Sequence, residues 1–249
     1  MKADTKLTRE LREMLKAKGA DLTGVGDISE IPAEIRGGFP IGVSVAVKYP
    51  KDIIRGIAKY PTVDYQKWYG KLNELLDDLV ISGADWLKEK GYQAIAKSRL
   101  QVGKYKDDCK TILPHKTIAT RAGMGWIGKS ALLVTEEYGS MIRISSILTD
   151  APLAAAEPIN ESKCGDCAAC RNACPAGAIY GRLWEPSLWR DELFDFQKCR
   201  TTMQRRAVEG IGEKDDICGK CIEVCPFTRR YLNQEEENAD QYQWKDRHC

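Results

Sequence analysis

Leu7, Leu11, Met14 and Leu15 recur at helical spacing among charged residues and predict an amphipathic helix over 5–18, stopped by Gly19. A short strand is predicted over 20–28. The apolar, β-branched run over 39–50 lies between prolines and predicts a buried strand. The longest helical pattern covers 64–90, where Leu72, Leu75, Leu76, Leu79, Val80, Ala84 and Leu87 form one stripe. Gly83 is expected to bend that helix and Gly91 to end it. Tyr65, Trp68 and Tyr69 sit at its start and are expected to pack in the core or at a helix edge, with a ligand wall as the alternative. Another strand is predicted over 92–98. Runs 131–135 and 141–149, with the turn Glu-Glu-Tyr-Gly-Ser between them, predict a hairpin. The first 155 residues thus mix helices with a sheet that has at least one antiparallel pair. Beyond residue 160 the regular patterns shorten.

The 249 residues suffice for one large domain or two modest ones, each with its own core. Apolar residues make up 43% and charged residues 30%, an ordinary soluble balance. A net charge of +2 gives no bulk attraction to nucleic acid or to a membrane surface. No apolar run approaches the roughly 18–20 residues of a membrane span. The first residues are amphipathic and lack a secretory core, so a reducing cytoplasm is expected, where many cysteines mean metal rather than disulfides. Cysteine is unevenly placed: eight of ten lie between 164 and 225, with Cys109 before them and Cys249 last. The shift predicts a division into residues 1–155, residues 156–233 and a polar tail, 234–249.

The first cysteine run, Cys164, Cys167, Cys170, Cys174 and Pro175, has the spacing C-x2-C-x2-C-x3-C-P of bacterial [4Fe-4S] proteins. Three cysteines in one tight loop can each reach a different iron of one cubane. The fourth has turned away and ligates the other cluster. Cys218, Cys221, Cys225 and Pro226 repeat the run without one member, and Cys199, 19 residues before Cys218, is the natural substitute. By the crossing rule, one cluster takes Cys164, Cys167, Cys170 and Cys225, and the other takes Cys174, Cys199, Cys218 and Cys221. Zinc is the competing reading, but such sites use paired C-x2-4-C units and often histidine. The only histidines, His115 and His248, fall outside both runs.

Gly123, Gly125 and Gly128 match the dinucleotide pattern G-x-G-x-x-G, and Gly123 to Ser130 matches the phosphate loop G-x4-G-K-S. Both need a strand before and a helix after. Here a helical pattern precedes and a strand pattern follows, so the order is reversed. A glycine-rich turn remains, with Arg121 and Lys129 as nearby cations. Either it lets backbone approach a cofactor closely, or it is a tight helix-to-strand turn without a ligand.

The stretch from Ala119 to Leu153, followed by both cysteine runs, resembles the epoxyqueuosine reductase family and, more distantly, reductive dehalogenases. The likeness covers most of residues 20–230. It is most specific over 121–129 and 164–175. It implies an α+β protein: a nitroreductase-like domain followed by a ferredoxin-like double [4Fe-4S] module. It also implies that the first domain holds cobalamin, base-off, and that the clusters feed electrons to its cobalt. The chain has no D-x-H-x-x-G ligand motif, as that implies. Gly125, Trp126, Gly128, Lys129 and Ser130 would line the corrinoid, with Arg121 beside them. The family's acidic proton donor aligns with Cys109, next to Asp108. His115 falls where longer members have glutamate, and it is the first candidate for a proton source, because an imidazole donates near neutral pH. The alternative for His115 is a helix-start residue bonded to backbone.

The C-terminal helical-repeat extension of the queuosine enzymes is not in this sequence, and Glu235–Glu237 are acidic. These departures weigh against nucleic acid as a partner and favour another organic acceptor. The expected function is an oxidoreductase that takes electrons from a soluble donor such as ferredoxin or flavodoxin and passes them to a bound corrinoid. The alternative is an electron-transfer protein that reduces a partner corrinoid protein or redox enzyme. Flavin is a third possibility, since the nitroreductase-like fold holds it elsewhere.

Overall fold

The computed structural model describes residues 3–99 and 111–234. Asp108, Cys109, His248 and Cys249 lie outside the described residues, as does the tail from 235 on.

Helix α1 (Thr5–Ala17) is capped by the Asp4 carboxylate, which accepts from Leu7 N–H, and it buries Leu7, Leu11 and Leu15. Strands β1 (Leu22–Asp27) and β2 (Ile41–Lys48) follow, separated by the short helix α2 (Ala33–Arg36). After α3 (Lys51–Gly56) comes α4 (Val63–Glu89), whose Thr62 cap accepts from Tyr65 N–H. Strand β3 (Ala94–Ala96), helix α5 (His115–Arg121), and strands β4 (Trp126–Ile127), β5 (Leu133–Val134) and β6 (Ile142–Thr149) complete the first part.

The main sheet runs β1-β2-β6-β3, and every neighbouring pair is antiparallel. Helices α1 and α4 cover one face and bury the leucine stripe against Val43, Val45, Val47 and Ile147. Tyr65 is buried in this core, and Trp68 and Tyr69 pack partly buried against it. Helix α5 covers the other face. A Cβ on Gly42 would sit 2.7 Å from Ile118 Cγ2, and one on Gly26 would sit 2.6 Å from Ala122 N, so bare strand positions let α5 lie flat on the sheet.

Helix α4 stays helical through Gly83, which gives room for Ile147, whose Cδ1 lies 2.5 Å from a Cβ placed there. One expectation is corrected. Runs 131–135 and 141–149 do not form a hairpin. Residues 133–134 pair with 126–127, while β6 pairs with β2 and β3 in the main sheet. Only the bridge Thr135–Gly139 marks the turn between them.

The cysteine-rich part has short helices: α6 (Ala169–Ala173), α7 (Phe196–Ile211), α8 (Lys220–Glu223) and α9 (Pro226–Leu232). It does not stand apart, because Ala207, Ile217 and Leu232 close the main core. Arg206 and Lys220 donate to the carbonyls of Lys59 and Ala58, tying α7 and α8 to the segment before α4. No helix among the described residues is long and apolar enough to cross a membrane.

Candidate functional site

The cysteine loops are short and turn sharply. Gly165 and Gly219 take left-handed φ values of 49° and 74° inside the two runs, turns that a side chain would strain. Cys174 ends α6 and Cys225 is the cap of α9, where Pro226 fills the first helical position and loses no hydrogen bond. Helices α6 and α8 pack against each other, which brings the two runs together.

The thiols fall into two electrostatic neighbourhoods. Burial, and then the charges of Cys164, Cys225 and Cys167, push the Cys170 thiol up to about 11. Burial, and then Cys174 and Cys218, push Cys199 up to about 11. Cys221 is raised well above the ordinary thiol range by burial, then by Cys218, Cys199, Cys170 and Cys174. All eight described cysteines are free thiols. Among the described residues no three His, Cys, Asp or Glu side chains are placed to hold a single metal ion. Crowded thiols with raised pKa values need a strong cationic acceptor before they can all be thiolates, which suits iron clusters.

The glycine segment 123–128 follows helix α5, contains strand β4 and precedes β5, so helix comes before strand as the sequence pattern predicts. Its close approaches are to the chain itself. A Cβ on Gly125 would meet Val134 O at 2.2 Å, and one on Gly128 would meet Val134 Cγ2 at 2.8 Å and lie 3.6 Å from Cys164 Sγ. Arg121 is buried, ion-paired to Glu30 at 2.5 Å and donating to Ile159 O and Asn160 Oδ1. Lys129 is buried and donates to Gly165 O at 2.7 Å and Cys167 O at 3.0 Å. Trp126 is fully buried, in one apolar cluster with Cys225 and Cys164. Ser130 is half-buried in the following turn.

His115 lies elsewhere, in a cleft of about 170 Å³ between α4, β3, α5 and β6 that Asn73, Asp77, Lys97, Arg99, Arg143 and Ser145 also line. Its Nδ1 is 3.0 Å from Ser146 Oγ, so its partner is a side chain rather than backbone. Arg99 pairs with Asp77 at 2.8 Å. Arg143 donates from Nε and a terminal nitrogen to Asn73 Oδ1, at 3.1 and 2.9 Å, and its guanidinium stands 4.1 Å over the Tyr69 ring. Sequence reasoning missed these cleft residues, although two signals were present. Arg143 is a lone cation in an apolar strand, and Asn73 is a buried amide inside a leucine stripe.

Burial, then Lys97 and Arg143, pull the His115 pKa down to about 4. At neutral pH the imidazole is uncharged. An unfolded histidine, with a pKa near 6.5, takes up its proton before the folded one does. Stability from this group is therefore complete above about pH 6.5 and is lost as pH falls toward 4. Between pH 7 and 5 the wild-type protein should lose about 1–2 kcal/mol more than His115→Asn, allowing for the open cleft. Urea unfolding at both pH values checks this, and parallel losses in the two proteins would refute it.

Residues 163–228 match the sequence model of the 4Fe-4S double cluster binding domain. The expected pair of [4Fe-4S] clusters is therefore shown, and the module is a double-cluster domain. An epoxyqueuosine reductase of Gloeobacter violaceus is 33% identical over 180 residues, 67% of this chain and 47% of that protein. This chain thus spans about half the length of that curated relative. A crystal structure of epoxyqueuosine reductase with an epoxyqueuosine-modified tRNA stem loop shares the fold at TM-score 0.60 and 20% identity, covering 90% of this chain and 66% of the other. A reductive dehalogenase whose structure suggests a mechanism for B12-dependent dehalogenation matches at TM-score 0.63 and 19% identity, covering 86% of this chain and 31% of the other. The expected resemblance and α+β fold hold.

Proposed function

We propose that the chain is an iron–sulfur oxidoreductase that delivers electrons from two [4Fe-4S] clusters to an acceptor at the cleft beside His115 and Arg143. Cys164, Cys167, Cys170 and Cys225 hold one cluster, and Cys174, Cys199, Cys218 and Cys221 hold the other. The observation that carries this reading is a buried aromatic bridge between cleft and cysteine loop. Tyr65 and Tyr49 have ring centroids 5.3 Å apart, and their hydroxyls interact. At one end, Tyr65 lies against the loop of Cys218 and Cys221: a Cβ on Gly219 would be 3.2 Å from its hydroxyl. At the other end, Arg143 feels Tyr69, Tyr49 and Tyr65 and lines the cleft. Burial pushes the Tyr49 hydroxyl up to about 12 and Tyr65 well above its ordinary value, so both stay neutral and the bridge is a low-dielectric contact.

A corrinoid is the acceptor this reading favours, on the likeness to the B12-dependent dehalogenase and the epoxyqueuosine reductases. The donor set fits one edge of such a group. Lys97, Arg143, Asn73 and Ser145 offer the hydrogen bonds and positive charge that peripheral amides and a phosphate require. A cleft of about 170 Å³ takes a rim of the macrocycle rather than its whole disk, since pockets for whole ligands run to about 300–1,000 Å³. When bound, a corrinoid supplies a metal centre that accepts electrons and reduces or attacks an organic substrate. The chain's own residues orient that group and manage protons. An anionic group beside Lys97 and Arg143 offsets the charges that depress His115, raising its pKa toward the range where it donates. Asp108 and Cys109 are the other proposed proton sources. The substrate is an organic molecule, and the electrons come from a soluble donor of the ferredoxin or flavodoxin kind.

The test is anaerobic titration of cobalamin into cluster-loaded protein. Saturable change in the cobalt absorption, and its reduction on adding a chemical reductant, is expected. Full clusters with no cobalt change would sink the corrinoid reading. Reduction only in the presence of a second protein would favour an electron-transfer role.

A further inference from the structure

We propose that Trp126, Gly128 and Lys129 form the N-terminal wall of the cradle for the cluster of the first cysteine run, with Trp126 Nε1 donating a hydrogen bond to a cluster sulfur. The inference rests on the proposed assignment of Cys164, Cys167, Cys170 and Cys225 to that cluster.

Trp126 is 0% exposed, and its Nε1 has no hydrogen-bond partner among the described residues. A buried N–H without an acceptor costs about 1–3 kcal/mol, and native proteins rarely leave one. The indole is flanked by both chain segments that carry the proposed ligands. Phe227, two residues beyond Cys225, meets it edge-on at 4.8 Å, and Lys163, adjacent to Cys164, stands 5.5 Å over its ring. Cys225 and Cys164 belong to the same apolar cluster. An acceptor supplied from outside the polypeptide at this place is most simply a sulfur of the cluster itself.

Two further contacts come from the same turn. Gly128 stands where a Cβ would come within 3.6 Å of Cys164 Sγ, so the backbone closes on that ligand. Lys129, buried at 8% exposure, spends its ammonium on the carbonyls of Gly165 and Cys167, inside the ligand loop. It is a positioning residue: it fixes the loop and places a positive charge beside it. A cluster becomes more negative on reduction, so a donor to sulfur and a nearby cation both favour the reduced state. The motif that resembles a phosphate loop therefore acts as a grip that tunes one cluster.

The test is an EPR-monitored redox titration of the iron-loaded protein and of Trp126→Phe and Lys129→Met. In Trp126→Phe the reduction equilibrium of the first-run cluster should shift about tenfold toward the oxidised form, about 59 mV for one electron, with the other cluster unmoved. Lys129→Met should shift the same cluster in the same direction. Full iron with unchanged potentials in Trp126→Phe overturns the cradle while leaving the ligand assignment intact. Loss of iron in Cys164→Ser tests that assignment separately. Should the variants fail to assemble, wild-type protein labelled with 15N-tryptophan decides the matter. Pulsed EPR of the reduced first-run cluster should show a 15N coupling, and its absence overturns the proposal.

Discussion

Replacing Cys225 with serine is expected to empty the cluster of the first cysteine run, and replacing Cys174 with serine to empty that of the second, each leaving about four of about eight irons per chain. Sequence neighbourhood alone argues the opposite assignment, since Cys174 ends the first run and Cys225 the second. The proposed crossing rests on the short helices. Cys174 is carried away from its loop at the end of α6, and Cys225 from its own at the start of α9. The electrostatics supports the crossed pairing: Cys225 is among the charges that raise Cys170, and Cys174 is among those that raise Cys199. Iron and sulfide analysis gives the count, and EPR of the reduced variants identifies the survivor. The crossing fails if Cys225→Ser keeps a cluster whose signal is lost on the further change of Cys164.

The same case shows what the sequence made legible. Ligand spacing is a local property dictated by cluster geometry, so the double-cluster module could be read from Cys164 to Pro226. Helix α4 was equally legible, because its leucine stripe repeats over 27 residues. The supposed hairpin was not. Alternation in 131–135 and 141–149 predicts strands but not their partners, and β6 finds better ones in β2 and β3 than across the Thr135–Gly139 turn. That turn is held from outside, by Thr228 Oγ1 accepting from Ser140 N–H. The glycine spacing predicts a close backbone approach, and one exists, but spacing could not say that Gly125 lies against Val134. The cleft was least legible. Its walls come from residues 73–77, 97–99, 115 and 143–145, segments that only the sheet order brings together.

Arg143→Met is expected to cost about 2–4 kcal/mol of stability and to weaken anion binding in the cleft about tenfold. The first effect has two parts. Asn73 is buried and its Oδ1 accepts both Arg143 bonds, so the substitution leaves that oxygen unpaired. The cation over the Tyr69 ring is also lost, though methionine keeps most of the apolar contact. Arg143→Lys keeps the charge but cannot reproduce the two-nitrogen grip on one oxygen, so it should recover more of the anion binding than of the stability. A third readout separates the cleft role from simple unfolding. Arg143 is one of the charges that depress His115, so its removal should raise the His115 pKa from about 4, while burial, the larger cause, keeps it below 6.5. Only two histidines are in the chain, which makes the titration assignable by NMR of the oxidised protein. Chemical unfolding and calorimetric titration with inorganic phosphate supply the other two numbers. A variant that loses stability while the His115 titration and phosphate affinity stay at wild-type values would reduce Arg143 to a packing residue and remove the cleft from the proposed electron path.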